Sequence, residues 1–81
     1  MKYLNMKKRL LNLESIVKTE LYWYAKENNY NRRVTIKGHL SNQWISVYNE
    51  LCAYRDSFQL KDNDPIWARM RIMQKQIGMM R

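Results

Sequence analysis

The fold is decided by the N-terminal stretch YLNMKKRLLNLESIVKTELYWYAKEN, residues 3–28. At the helical step of about 100° per residue, its apolar residues recur three, four and seven positions apart on one side. That side collects Tyr3, Met6, Leu10, Leu13, Val17, Leu21 and Tyr24. Such a stripe is typical of an amphipathic helix that buries one face, so we predict a long first helix over residues 3–28.

A second helix is predicted over residues 41–60, with Ser41 or Asn42 as its N-cap. One face of it collects Leu40, Trp44, Val47, Leu51, Tyr54 and Phe58. Residues 28–38 are expected to break the helical pattern. Their asparagines favour turns, residues 34–36 are β-branched and suit an extended backbone, and Gly38 tolerates a positive φ.

The third helix is predicted over residues 65–77, after a loop at residues 61–63. Asp64 is a suitable N-cap, and Pro65 at the first helical position removes an amide that has no partner there. Its stripe collects Ile66, Met70, Met73, Ile77 and Met80. Gly78 is the expected end of the helix.

These elements predict an all-α fold, a small three-helix bundle forming a single helical domain over residues 1–81. The first helix would be about 39 Å long, roughly twice the length of the third. Apolar patches outside the stripes therefore lack partners within the chain: Leu4, Leu11, Tyr22, Ile16 and Trp23 on the first helix, and Ala68, Ile72 and Met79 on the third. We expect a homodimer or an obligate partner to cover them.

Composition excludes several classes of protein. One Cys and one His among 81 residues exclude a disulfide framework and a zinc finger within one chain, and two Gly leave no phosphate-binding loop. Charges interrupt every apolar run, so neither a membrane span nor a signal peptide is expected, and we predict a cytoplasmic protein. Abundant Asn, Lys and Ile with scarce Ala indicate an AT-rich genome, such as that of a phage, a mobile element or a low-GC bacterium.

Catalytic chemistry is poorly supplied. His39 has no acid or nucleophile near it in sequence, and Cys52 lies on the shoulder of the second helix as a small hydrophobe. Asp62 and Asp64 are better explained by turn and cap roles than by metal binding. We predict that the protein is not an enzyme and has no cofactor and no metal site.

Basic residues are the informative feature, since 15 Lys and Arg oppose 7 Asp and Glu and give a net charge of +8. They form three groups, and the arginines beside Tyr30 suit phosphate contacts and base stacking. We predict a non-catalytic accessory or regulatory protein that binds nucleic acid or a nucleoprotein complex. Docking on an acidic protein and plain solubility are the alternatives. The predicted contacts are Lys7, Lys8, Arg9, Arg32, Arg33, Lys37, Arg69, Arg71 and Lys75.

Aromatic and Met residues off the main stripes support a second hypothesis. The protein would be a stoichiometric inhibitor or adaptor that docks on a host protein, because exposed aromatic side chains anchor interfaces and Met surfaces adapt to partners. Partial burial under a neighbouring helix is the other explanation for these positions. The predicted partner-binding residues are Tyr22, Trp23, Trp67, Ile72 and Met79.

Overall fold

A computed structural model describes residues 2–80 of the chain. These residues form three α-helices and no strand: α1 (Lys2–Lys26), α2 (Tyr30–Asp56) and α3 (Pro65–Gly78). The predicted all-α fold with three helices is confirmed.

Helix α1 buries the stripe that its sequence predicts. Met6, Leu10, Leu13, Val17 and Tyr24 are at most 7 % exposed. Tyr3 and Leu21, at the edge of the stripe that faces α3, keep part of their surface in solvent. The periodic apolar signal was therefore sufficient to orient the helix.

The predicted break at residues 28–38 is wrong, because α2 already begins at Tyr30. Asn29 is its N-cap, and the Asn29 side chain accepts a hydrogen bond from the Arg32 amide. Residues 34–36 and Gly38 are helical, and Gly38 does not adopt a positive φ. The weak extended preference of β-branched residues loses to tertiary packing, since Ile36 packs against the core and Leu40 is fully buried one turn later.

The end of α2 also differs from the prediction. The helix ends at Asp56, and Phe58, expected on the buried face, is 95 % exposed with a φ of 62°. The Gln59 amide donates to the Tyr54 carbonyl and the Phe58 amide to the Arg55 carbonyl. This is a Schellman motif with Phe58 in the left-handed position that glycine usually takes.

Helix α3 begins as predicted. The Asp64 side chain accepts a hydrogen bond from the Ile66 amide at 2.9 Å, and Pro65 is the first residue of the helix. The stripe of Ile66, Met70, Met73, Ile77 and Met80 is buried. Gly78 is the last helical residue, and Met79 is the C-cap.

The three helices pack against one another around one apolar cluster, in a rod of 44 × 17 × 16 Å. Arg9 pairs with Glu50, and Arg33 reaches the Glu27 carbonyl, so α1 and α2 run antiparallel. The Tyr3 hydroxyl donates to Asp64 at 3.1 Å, which places the starts of α1 and α3 at the same end. The connections are residues 27–29 and 57–64, so the first connection is far shorter than the break predicted over residues 28–38.

Candidate nucleic-acid interface

The nine predicted phosphate contacts do not form one patch. Because α1 and α2 run antiparallel, Lys7, Lys8 and Arg9 lie near one end of the 44 Å rod, and Arg32 and Arg33 lie near the other. The three basic residues of α3 lie between these ends. The structure therefore separates the groups along the bundle.

Several of the predicted contacts are engaged in ion pairs. Arg9 pairs with Glu50 across α1 and α2, and Arg69 pairs with Glu14 across α1 and α3, where the Arg69 Nε–Glu14 Oε2 distance is 3.0 Å. The hydrogen bond to Glu14 raises the pKa of Arg69. Both pairs tie helices together, and Arg69 holds Glu14 through two nitrogens, a bidentate geometry that constrains orientation as well as charge.

Arg33 and Lys37 hold helix ends. The Arg33 Nη1 donates to the Glu27 carbonyl at 3.1 Å, and its guanidinium lies 4.3 Å from the centre of the Tyr24 ring. The Lys37 Nζ donates to the Met80 carbonyl at 2.9 Å. Both cations thus satisfy carbonyls just beyond the C-termini of α1 and α3, where positive charge is stabilising.

Most acidic side chains of the protein lie close to an arginine side chain. Five of the seven lie within 4.0 Å of an arginine nitrogen: Glu14, Glu27, Glu50, Asp56 and Asp62. Within residues 3–80, seven exposed cations have no ion-pair partner: Lys7, Lys8, Lys18, Lys26, Lys61, Arg71 and Lys75. The surplus positive charge is therefore carried by side chains that point into solvent.

A groove between α2 and α3 combines aromatic and basic side chains. The Trp44 and Tyr48 rings are stacked with centroids 4.9 Å apart, and Trp67 meets Tyr48 edge-on at 6.0 Å. The groove has a volume of about 630 Å³. Its lining comprises Trp44, Tyr48, Arg55, Asp62, Trp67, Met70, Arg71 and Gln74, and it is called the α2–α3 groove below.

Both indole N–H groups of the groove are already used. The Trp44 Nε1 donates to the Met70 carbonyl at 2.8 Å, and the Trp67 Nε1 donates to the Lys61 carbonyl at 2.9 Å. The Arg55 guanidinium lies 5.4 Å from the centre of the Trp67 ring. A ligand in this groove would therefore meet ring surface and cationic groups rather than free indole donors.

The predicted partner-binding residues divide into two sets. Tyr22, Trp23, Ile72 and Met79 are exposed, by between 55 and 78 %. Trp67 is only 9 % exposed, which agrees with the alternative explanation of burial under a neighbouring helix. Its edge-on contact with Tyr48 and its bond to the Lys61 carbonyl hold it between α2 and α3.

Tyr22 and Ile72 line a second groove, of about 680 Å³, between α1 and α3. Its lining includes the half-buried Leu21 and the buried Met73, together with Lys18 and Gln76. We call this surface the α1–α3 face. It joins exposed residues that the sequence had placed on separate helices.

His39 and Cys52 lie away from both grooves. The His39 Nε2 is 3.2 Å from the Gln43 Nε2 on the exposed side of α2, and Cys52 is half-buried. Within residues 2–80, no group of three His, Cys, Asp or Glu side chains is placed to hold a metal ion. None of the three described helices has a segment apolar enough to cross a membrane.

Sequence reasoning missed Trp44, Tyr48 and Arg55 as site residues. It placed Trp44 on the buried face of the second helix and did not single out the other two. A signal was present: the three residues are spaced i, i+4 and i+11, which places them on one flank of a helix. An arginine on the same flank as an aromatic pair suggests a surface groove rather than a sealed core. The assignment of Trp44 to packing was partly right, since its side chain is half-buried.

No family model matches the chain, and no curated protein and no solved structure gives a significant match. The functional conclusion therefore rests on the residues and their geometry.

Proposed function

We propose that this chain is a small accessory or regulatory protein that binds nucleic acid, alone or within a nucleoprotein complex, and acts without catalysis. The observation that carries the proposal is the unequal use of charge. Glu14 and Glu50 pair closely with arginines across helices, while Lys8, Arg71 and Lys75 have no ion-pair partner among the described residues. Cations that lack an acidic partner are available to replace the counterions of a phosphate backbone.

Arg71 and Lys75 are the leading phosphate contacts. They are one turn apart on α3, where two like charges repel and mildly destabilise an isolated helix. A phosphate opposite both would relieve that repulsion. Lys7 and Lys8 on α1 and Arg32 on α2 are further exposed cations at the two ends of the bundle, whereas Arg9, Arg33, Lys37 and Arg69 already serve the fold.

Fluorescence anisotropy with a labelled DNA duplex, titrated at several salt concentrations, tests the proposal. If about five phosphates are neutralised, the logarithm of the binding constant falls against the logarithm of salt with a slope of about −4.5. The double substitution Arg71→Glu and Lys75→Glu is expected to weaken binding strongly. Absence of binding at low salt to both the duplex and a single strand of the same sequence, or a slope near zero, would contradict the proposal.

The matched control is Lys18→Glu with Lys26→Glu on α1, which changes the net charge equally and alters no proposed phosphate contact. Both lysines are exposed and outside the α2–α3 groove. A smaller loss of affinity in this control would locate the binding surface on α3. Equal losses in both double variants would show that net charge alone governs binding.

Protein docking is the second candidate function, favoured by the exposure of Tyr22 and Ile72 on the α1–α3 face and of Met79 at the end of α3. The chain would then act as a stoichiometric inhibitor or adaptor on a host protein. Purification from its host should yield one partner at a fixed ratio, lost with Ile72→Ser and Met79→Ser but retained with Gln74→Glu. Survival of the complex with both serine substitutions would contradict this function.

A homodimer is proposed on the same grounds, since Leu4 and Leu11 are more than half exposed on the outward side of α1. Sedimentation equilibrium should give twice the chain mass of 10.0 kDa. Leu4→Ser with Leu11→Ser should restore the monomer. A monomeric wild-type protein at high micromolar concentration would contradict the dimer.

A further inference from the structure

We infer that a track along the seam of α2 and α3 binds single-stranded nucleic acid, with aromatic side chains stacking on its unpaired bases. The inference rests on the proposed function and names its substrate class. The track consists of the α2–α3 groove and the two grooves that continue it at either end. Phe58 lies at one end and Lys37 at the other.

Shared lining residues make the three grooves continuous. Arg55 and Asp62 line both the α2–α3 groove and a groove of about 650 Å³ beside Phe58. Trp44 and Gln74 line both the α2–α3 groove and a groove of about 250 Å³ beside Lys37. From residue 55 to residue 37 the track follows α2 for about 27 Å at 1.5 Å per residue. That length accommodates several nucleotides.

The track has the chemistry of a single-strand binding surface. Three cations, Arg55, Lys61 and Arg71, line it against the carboxylates of Asp56 and Asp62. Lys37 adds positive charge at one end, where its ammonium donates to the Met80 carbonyl. The contacts of Arg55 with Asp56 and Asp62, at 3.7 and 4.0 Å, are long and involve exposed carboxylates, so they compete weakly with a phosphate. Between these charges lie Trp44 and Tyr48, whose rings suit stacking on bases of any identity.

Phe58 is the feature that the fold itself does not explain. A bulky residue with a φ of 62° is strained, and its ring is 95 % exposed, so it gains almost no burial in return. Glycine would satisfy the same Schellman motif without strain. Strain kept at an exposed position points to a role outside folding, and here the ring lines the track next to Arg55.

A single strand fits these observations better than a duplex. A duplex keeps its bases stacked inside and offers mainly phosphates to a groove between helices, which leaves the aromatic side chains without a use. An unpaired strand presents both phosphates and base faces. The aromatic and cationic residues of the track are then used together.

The first experiment compares three labelled probes by anisotropy: a thymidine 12-mer, the same backbone with abasic sites, and a hairpin duplex. The 12-mer is expected to bind roughly tenfold or more tightly than the abasic strand, since stacking adds to the phosphate contacts. A uridine 12-mer serves as the RNA arm, and preference for either intact strand supports the inference. Equal, salt-dependent binding of all probes would overturn the inference yet leave the proposed function standing. No binding of any probe would overturn both.

The second experiment uses Phe58→Gly. This variant is expected to fold, because glycine removes the backbone strain of the positive φ at this position. Its thermal unfolding midpoint should rise while its affinity for the thymidine 12-mer falls by roughly tenfold. A purely structural Phe58 would give the rise without the fall. Unchanged affinity for the 12-mer would therefore overturn the role of Phe58.

Gln74→Glu and Gln76→Glu form a matched pair on α3. Both side chains are exposed, but Gln74 lines the track and Gln76 lines the α1–α3 face. The Gln74→Glu protein should bind the 12-mer several-fold more weakly than the Gln76→Glu protein, whose net charge is identical. Equal affinities would place the strand elsewhere and overturn the track.

Discussion

The two flanks of α3 leave different kinds of side chain exposed to solvent. On the flank facing α2, the indoles of Trp44 and Trp67 are drawn in and bonded to backbone carbonyls, while Arg71 remains in solvent. On the flank facing α1, Arg69 is tied to Glu14, and Ile72 remains in solvent. One helix thus exposes charge on one side and apolar surface on the other.

The difference separates two modes of recognition by their physics. Binding on the α2 flank should depend on counterion release and weaken steeply with salt. Binding on the α1 flank should depend on burial of apolar area and change little with salt. A salt titration of any partner therefore indicates which flank the partner occupies.

The largest expected effect on stability concerns Trp67, the buried tryptophan on the flank of α3 that faces α2. Trp67→Ala should lower the free energy of unfolding by about 3–5 kcal/mol, because a large side chain and its hydrogen bond are removed. Trp23→Ala, at a site 56 % exposed, should change it by less than about 0.5 kcal/mol. Urea unfolding measures both. Similar losses for the two variants would show that α1 buries Trp23 against a second copy or that Trp67 contributes little.

A smaller effect tests the two arginines. Arg69→Met should cost about 1 kcal/mol, since its pair with Glu14 is about one-third exposed, whereas Arg71→Met should be close to neutral. If Coulombic attraction is responsible, the difference in stability between the two variants should shrink in 1 M salt, where the Debye screening length is about 3 Å. Urea titrations at low and high salt measure it. A larger cost for Arg71→Met would contradict the assignment of Arg71 to solvent.

Gly38→Ala provides a reference, because Gly38 lies on the exposed side of α2, away from both flanks of α3. An added Cβ meets no atom within 4 Å, and Gly38 is helical with a negative φ. The variant should gain about 0.5–1 kcal/mol through reduced entropy of the unfolded chain. Thermal unfolding measures the gain. A loss of stability would mean that this surface contacts another chain closely.

The smallest expected effect is a pH dependence at the shared start of α1 and α3. The hydrogen bond to Asp64 raises the pKa of Tyr3 above its usual value near 10. Its contribution to stability is therefore present below that value and is lost as pH rises through the raised folded pKa. An ultraviolet titration of wild type minus Tyr3→Phe measures this pKa. A pKa at or below the usual value would show that the contact is not made in solution.

The sequence predicted features set by local chemistry and missed features set by tertiary contacts. Asp64 and Pro65 mark the start of α3 because a cap and a fixed φ act within one turn. The extended backbone predicted for residues 34–36 is wrong, because packing of Ile36 on the core overrides the preference of β-branched residues for that conformation. The exposure of Phe58 was not predictable from periodicity, since the helix ends two residues before it.

The sequence predicted which residues the candidate site could contain but not how they are arranged. The sequence identified the basic residues and the exposed Tyr22, Trp23, Ile72 and Met79. It could not assign the cations between internal pairs and solvent, because Glu14 and Glu50 are 55 and 41 positions from their arginines. The grooves arise where α3 meets its two neighbours, and that meeting is encoded in no single segment.

The carbonyl bonds of Trp44 and Trp67 have a practical consequence. Two of the three tryptophans are fixed in orientation at the α2–α3 seam, while Trp23 lies in solvent on α1. A Trp23→Phe protein would confine indole emission to the seam. The molecule would then report on occupancy of that seam by its own fluorescence, with no attached dye.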